Sequence, residues 1–139
     1  MLDPSTPGSA IGSAAGRGND ARRALALAGE TFAAQHLERL GYEIVARNHR
    51  TRFGELDIVA CDAQALVFVE VKTRRASETS EPWRAMTERK RDQVRRMAAA
   101  YLAEVDDRPR GLDLRFDAIA VAIDARGRLV SIDHLEAAF

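Results

Sequence analysis

The sequence predicts a mixed α/β fold, one sheet of about five strands with helices packed on it in the order α-β-β-β-α-β-β. Three observations predict it. Two long segments carry apolar residues at helical spacing, one over Leu25–Leu40 and one over Met86–Leu102. Short runs rich in Val, Ile and Phe lie between and after them. Gly and Asp clusters punctuate those runs where hairpins and turns belong. A length of 139 residues suits one domain with a real hydrophobic core.

Met1 to Asn19 is rich in Gly, Ser, Ala and Pro, which predicts a disordered tail and a single domain over residues 20–139. Asp20 is the expected N-cap of the first helix. Leu25, Leu27, Phe32, Ala33, His36, Leu37 and Leu40 spread over one broad arc, and Gly41 supplies the stop. Tyr42–Ala46 alternates as a strand, and the basic, polar stretch Arg47–Phe53 reads as a loop. Glu55–Ala60 and Leu66–Lys72 are strands joined by residues 62–65 into a hairpin. Residues 73–82 read as a loop ending in Pro82. Trp83 or Thr87 opens the second helix, which runs to about Val105 on a stripe of Met86, Val94, Met97, Tyr101 and Leu102. Leu112–Ile123 and Leu129–Ile132 complete the sheet around a turn at Asp124–Arg128.

The chain has 21 basic and 21 acidic residues, so its net charge is zero, which argues against tight, indiscriminate nucleic-acid binding. The distribution is uneven. Residues 53–71 hold Glu55, Asp57, Asp62 and Glu70 and no base, whereas the flanking segments are rich in Arg and Lys. An acidic centre with a basic rim is one reading and a mixed, solvated surface is the other. No apolar stretch approaches the ~20 residues that span a bilayer. A single cysteine, Cys61, forbids an intramolecular disulfide, and the first residues lack a basic start and an apolar core, so a cytoplasmic location is expected.

The acidic hairpin carries the chemistry. With residues 62–65 as its loop, Cys61 faces Leu66, Val59 faces Phe68, Asp57 faces Glu70 and Glu55 faces Lys72. Strand side chains alternate, so Glu55, Asp57, Glu70 and Lys72 are expected on one face. Directly opposed residues bring Cβ atoms to about 4.5–5.5 Å, where like charges repel. Asp57 and Glu70 therefore need a cation between them. All-oxygen ligands select Mg²⁺ or Mn²⁺, and the Lys72 ammonium beside them would hold or polarise a water. The alternative is a structural face tied by Glu55–Lys72 and by an arginine reaching both acids.

Asp57, twelve residues, then Glu70-Val71-Lys72 resembles the D…(D/E)-x-K core of the PD-(D/E)XK nuclease superfamily. The wider string adds Gly29-Glu30, Asn48-x-Arg50, Gly54-Glu55-Leu56-Asp57, Val67 to Arg74, the helix around Lys90, Arg115-Phe116-Asp117 and His134 to Phe139. Together these resemble the bacterial YraN-type family, predicted endonucleases with a restriction-endonuclease-like fold akin to archaeal Holliday-junction resolvases. Leu56 stands where the superfamily's name has proline. The resemblance implies that Asp57 and Glu70 bind metal, with the Val71 carbonyl as a third ligand and Glu30 completing or supporting the site. It makes Lys72 the catalytic lysine, and implies hydrolysis of phosphodiester bonds in structured DNA with Mg²⁺ or Mn²⁺. An isologous homodimer would follow by analogy with the resolvases.

Phosphate contacts are expected from Arg50, Arg52, Arg74, Arg75, Lys90 and Arg91. Lys90 lies on the apolar stripe, where a snorkelling lysine is the other reading. His36 reads as a packed core histidine, His49 as a phosphate or base contact, and His134 as a dock for the last segment. Arg115 and Asp117 read as a structural pair. The competing function is a non-catalytic nucleic-acid-binding or scaffold protein that keeps the fold.

Overall fold

The computed structural model describes residues 14–78, 83 and 87–139. Seven elements follow in order: α1 (Ala14–Arg39), β1 (Glu43–Thr51), β2 (Gly54–Cys61), β3 (Ala65–Arg75), α2 (Glu88–Glu104), β4 (Asp113–Ile123) and β5 (Leu129–Leu135). The strands form one sheet in the order β1-β2-β3-β4-β5. The β3–β4 pair is parallel, with α2 as its crossover, and the other three pairs are antiparallel. The expected mixed α/β architecture and element order are found.

Each helix covers one face of the sheet. Ala33 and Leu37 of α1 pack on Ile58, Ala60, Val67, Val69, Ile119 and Val121. Val94, Met97 and Tyr101 of α2 pack on Leu56, Val59, Leu66 and Phe68. β3 is thus buried on both faces, which explains its near-continuous apolar run.

Most of the expected tail, residues 1–13, lies outside the described residues, as do Pro82 and Met86. Helix α1 begins at Ala14, six residues before the expected cap at Asp20. Extending a formed helix adds one hydrogen bond per residue without a new nucleus, so weak helix formers can join its end. The helix stops as expected. Gly41 takes φ +98°, its N–H donates to the Glu38 carbonyl at 3.0 Å, and Tyr42 N–H donates to the Leu37 carbonyl at 3.0 Å.

The expected loop Arg47–Phe53 is instead the second half of β1, paired with β2 down to Thr51 opposite Gly54. Backbone pairing does not require apolar side chains: on this edge strand Arg47 and Arg50 reach solvent, whereas Asn48 and His49 are partly buried and Thr51 is buried. Arg52 and Phe53 are left as the two-residue turn. Residues 73–75, also expected as loop, extend β3, and β5 runs three residues past Ile132. Thr87 is the N-cap of α2, its hydroxyl accepting from Lys90 N–H.

Candidate active site

The hairpin register is the expected one from Cys61–Leu66 to Ile58–Val69. There the ladder ends. Val71 N–H donates to Asp57 Oδ2 at 2.8 Å, so a carboxylate replaces the next rung. In a strand the N–H and C=O of one residue point to the same flank, so the Val71 carbonyl shares that side with Asp57.

One expectation fails at this point. Leu56 packs on the α2 side and Ile58 on the α1 side, although two residues apart in a strand. Opposite them, Asn48 adopts φ +52°, with Arg47 reaching Thr31 of α1 and His49 meeting the Tyr101 ring of α2 edge-on. The alternation is broken at Asn48 and Asp57, as at a bulge. Glu55 therefore does not share a face with Glu70 and Lys72. It lies toward α1, where Asn48 Nδ2 reaches it at 3.3 Å and Arg50 at 3.7 Å. No Glu55–Lys72 pair forms among the described residues.

Asp57, Glu70 and Glu30 converge. Glu30 and Glu70 are each 7% exposed. Burial and the Glu70 charge, with a smaller push from Glu30, raise the Asp57 pKa to about 8 against the opposing Val71 N–H. Glu30 is held by Asn48 Nδ2 at 2.6 Å. Lys90 in the first turn of α2 reaches Glu70 Oε2 at 3.0 Å, and Lys72 lies 3.6 Å from the same oxygen. Among the described residues the other oxygen of each carboxylate carries no hydrogen bond.

These donors are all hard oxygens, and Mg²⁺ takes one or two carboxylates and completes its shell with water. Asp57, Glu70 and the Val71 carbonyl fit that requirement. Among the described residues no group of three or more His, Cys, Asp and Glu is arranged to hold an ion. Glu30, clamped by Asn48, acts on Asp57 through its charge.

Two contributors were not legible as such. Asn48 bridges Glu30 and Glu55, and a left-handed Asn gives no periodic signal, although Asn tolerates that conformation better than most residues. Gly29 lets α1 approach β3 so closely that a Cβ there would lie 1.9 Å from Thr73 Oγ1.

The expected basic rim divides. Arg50, Arg52, Arg75 and Arg91 are exposed, and Arg52 lies over the Phe53 ring. Arg74 donates to the main-chain carbonyls of Arg75 and Glu78. Lys90 turns inward to Glu70. His49 is corrected: its Nε2 is buried with no hydrogen-bond partner among the described residues and its ring meets Tyr101 edge-on at 5.0 Å, so it faces the core rather than a ligand. Arg115 pairs doubly with Asp117, both contacts at 2.9 Å. His134 does dock the last segment, through Asp117 at 2.8 Å, and His36 bonds His134 at 3.1 Å. No helix among the described residues is long and apolar enough to cross a membrane.

A family model described as uncharacterised protein family UPF0102 matches residues 29–121. A UPF0102 protein of Nocardia farcinica is 48% identical over 118 residues, covering 85% of this chain and 91% of the relative. One from Chlorobaculum tepidum is 46% identical over 115 residues, 80% and 88% of the two chains. One from Pelotomaculum thermopropionicum is 43% identical over 120 residues, 86% and 98%.

Proposed function

The chain belongs to the UPF0102 family, and from that premise and the carboxylate cluster we propose that it is a Mg²⁺- or Mn²⁺-dependent endonuclease acting on structured DNA, of the PD-(D/E)XK type, in the cytoplasm. The observation that carries this reading is the replacement of a backbone rung by Asp57. A carboxylate that interrupts a sheet and stands beside two more buried carboxylates is a costly arrangement for stability alone.

Asp57, Glu70 and the Val71 carbonyl would hold the ion. When bound, the ion supplies charge neutralisation at the scissile phosphate and acidifies a water. The residues do the rest. Val71 N–H fixes one Asp57 oxygen and so aims the other. Asn48 holds Glu30 at the distance from which its charge acts on Asp57. Lys72, a third exposed and 3.6 Å from Glu70, would hold the attacking water and offset charge growing on the phosphate. Exposed Arg50, Arg52, Arg75 and Arg91 supply contacts to the DNA backbone without sequence readout. A homodimer would match a substrate with two equivalent strands.

The pairing of Lys72 and Lys90 with the same Glu70 oxygen favours a second reading, a non-catalytic nucleic-acid-binding protein in which the acids are neutralised internally. Cleavage of junction, flap and duplex DNA with Mg²⁺ or Mn²⁺ separates the two. The endonuclease loses about 10²-fold or more in rate in Asp57→Ala and Lys72→Ala. Equal cleavage by all three proteins, or salt-sensitive binding without cleavage under either metal, ends the proposal.

A further inference from the structure

The β1–β2 turn, Arg52-Phe53, leans against the side of α2. Gln93 Nε2 donates to the Phe53 carbonyl at 2.9 Å. Gly54 lies so close that a Cβ would stand 2.8 Å from the Gln93 amide and 3.0 Å from Met97 Sδ. The turn is thus fixed rather than free. The Phe53 side chain packs against the α2-side core and is partly buried. It lines two neighbouring cavities, of about 510 Å³ and about 450 Å³, and exposed Arg96 lines both as well. The Arg52 guanidinium sits 4.8 Å from the centre of the Phe53 ring. That exposed guanidinium shows a ring face that takes a planar group, and a base would displace it or stack outside it.

The turn adjoins the carboxylate cluster. Lys90, which grips Glu70, and Gln93, which grips Phe53, are three residues apart on α2, a rise of about 4.5 Å. The turn and the carboxylate cluster are thus held by the same stretch of one helix.

We infer that the Arg52-Phe53 turn is a stacking platform for one unpaired base of a branched DNA, with Arg52 and Arg96 on its flanking phosphates. The inference rests on the endonuclease reading and deepens it by naming the substrate class. Aromatic stacking accepts any base because each has a π-face, and an arginine joins it through cation–π contact. In a continuous duplex every base is already stacked within the helix, so only an unpaired one is free to take the ring. Arg52 and Arg96 stand among the acids Glu88, Asp92 and Glu104 that also line the cavities, so the ring face rather than net charge selects the occupant.

Fluorescence anisotropy in EDTA, so that nothing is cut, tests this with a synthetic duplex carrying an unpaired thymine arm and the same duplex fully paired. Phe53→Leu keeps the packed aliphatic volume and removes the π-face. It is expected to weaken the armed duplex about tenfold and leave the paired one unchanged, while Phe53→Trp holds or improves the preference. Equal loss on both DNAs, or on neither, overturns the platform. Should Phe53→Leu fail to fold, the wild-type protein still decides. Iodouracil placed at the first unpaired position should photo-crosslink to Phe53, and adducts found only elsewhere sink the inference. If the wild-type protein binds neither DNA, the endonuclease reading falls and takes the platform with it. If it binds and cuts both while Phe53→Leu keeps the wild-type preference, only the platform falls.

Discussion

Asp57 carries its proton to about pH 8 in the folded chain, because burial and the neighbouring Glu70 and Glu30 charges oppose ionisation. In an unfolded chain an aspartate ionises near ~3.9. Between those values the folded state binds more protons than the unfolded one, so this group lowers stability as pH rises from about 4 to about 8. Asparagine keeps the oxygen that accepts Val71 N–H and removes the charge. Metal-free Asp57→Asn is therefore expected to melt higher than wild type at pH 8 and close to it at pH 4. A divalent ion favours the ionised form, so Mg²⁺ should raise the wild-type melting temperature at pH 8 and leave the variant unmoved. Thermal melts at both pH values, with EDTA and with Mg²⁺, measure this. A variant that melts lower at pH 8 in EDTA would show Asp57 to be a stabilising ionised group instead.

Among the elements, α1 and β3 make the approach that brings Glu30 to the site. Gly29 permits it, since a methyl group there would overlap Thr73 Oγ1, Cγ2 and Cβ. Gly29→Ala is expected to destabilise by about 1–3 kcal/mol through overpacking and, by lifting the helix, to reduce cleavage as far as Glu30→Ala does. Thr73→Ala in the same chain should recover part of both losses, read by urea melts and cleavage rates. The hairpin register of β2 and β3 was legible because two continuous apolar runs, Ile58–Cys61 and Ala65–Val69, flank a short loop whose Asp62 carboxylate accepts from the Gln64 and Ala65 N–H groups. The second half of β1 was not. Its residues are polar, and what recruits them is backbone pairing to β2, which leaves no mark on side-chain pattern. The misplaced Glu55 has the same origin. Period-two counting holds only along an unbroken strand, and the left-handed Asn48 breaks it one residue before His49 turns to the core. Asp57, Glu70 and Lys72 could be read from spacing, whereas Lys90 as the Glu70 partner depended on where the α2 cap set the helix.

At the scale of the whole molecule, α1, β4, β5 and the last residues are tied through one buried carboxylate. Asp117 is fully buried and accepts from Arg115, His134 and the Ala137 N–H. Burial opposes its charge, but the His134, Arg115 and Ala137 bonds prevail and hold its pKa below the usual carboxylate value. His134 links Asp117, at its Nε2, to His36 Nε2, at its Nδ1. The His36 pKa is lowered by burial first and then by the His134 and Arg39 charges. A histidine whose folded pKa lies below its unfolded value of about 6.5 favours folding above that pH and loses the contribution as pH falls. Asp57 acts in the opposite sense, gaining stability on acidification, so a melting curve of the wild type alone would mix the two. The difference between wild type and His36→Gln isolates the histidine, because glutamine can still donate to His134 and does not titrate. The variant is expected to retain more stability than wild type between pH 7 and pH 5, with Asp57→Asn as the shared background to remove the opposing slope. Parallel curves for the two proteins over that interval would mean that His36 holds α1 to β5 without responding to protons.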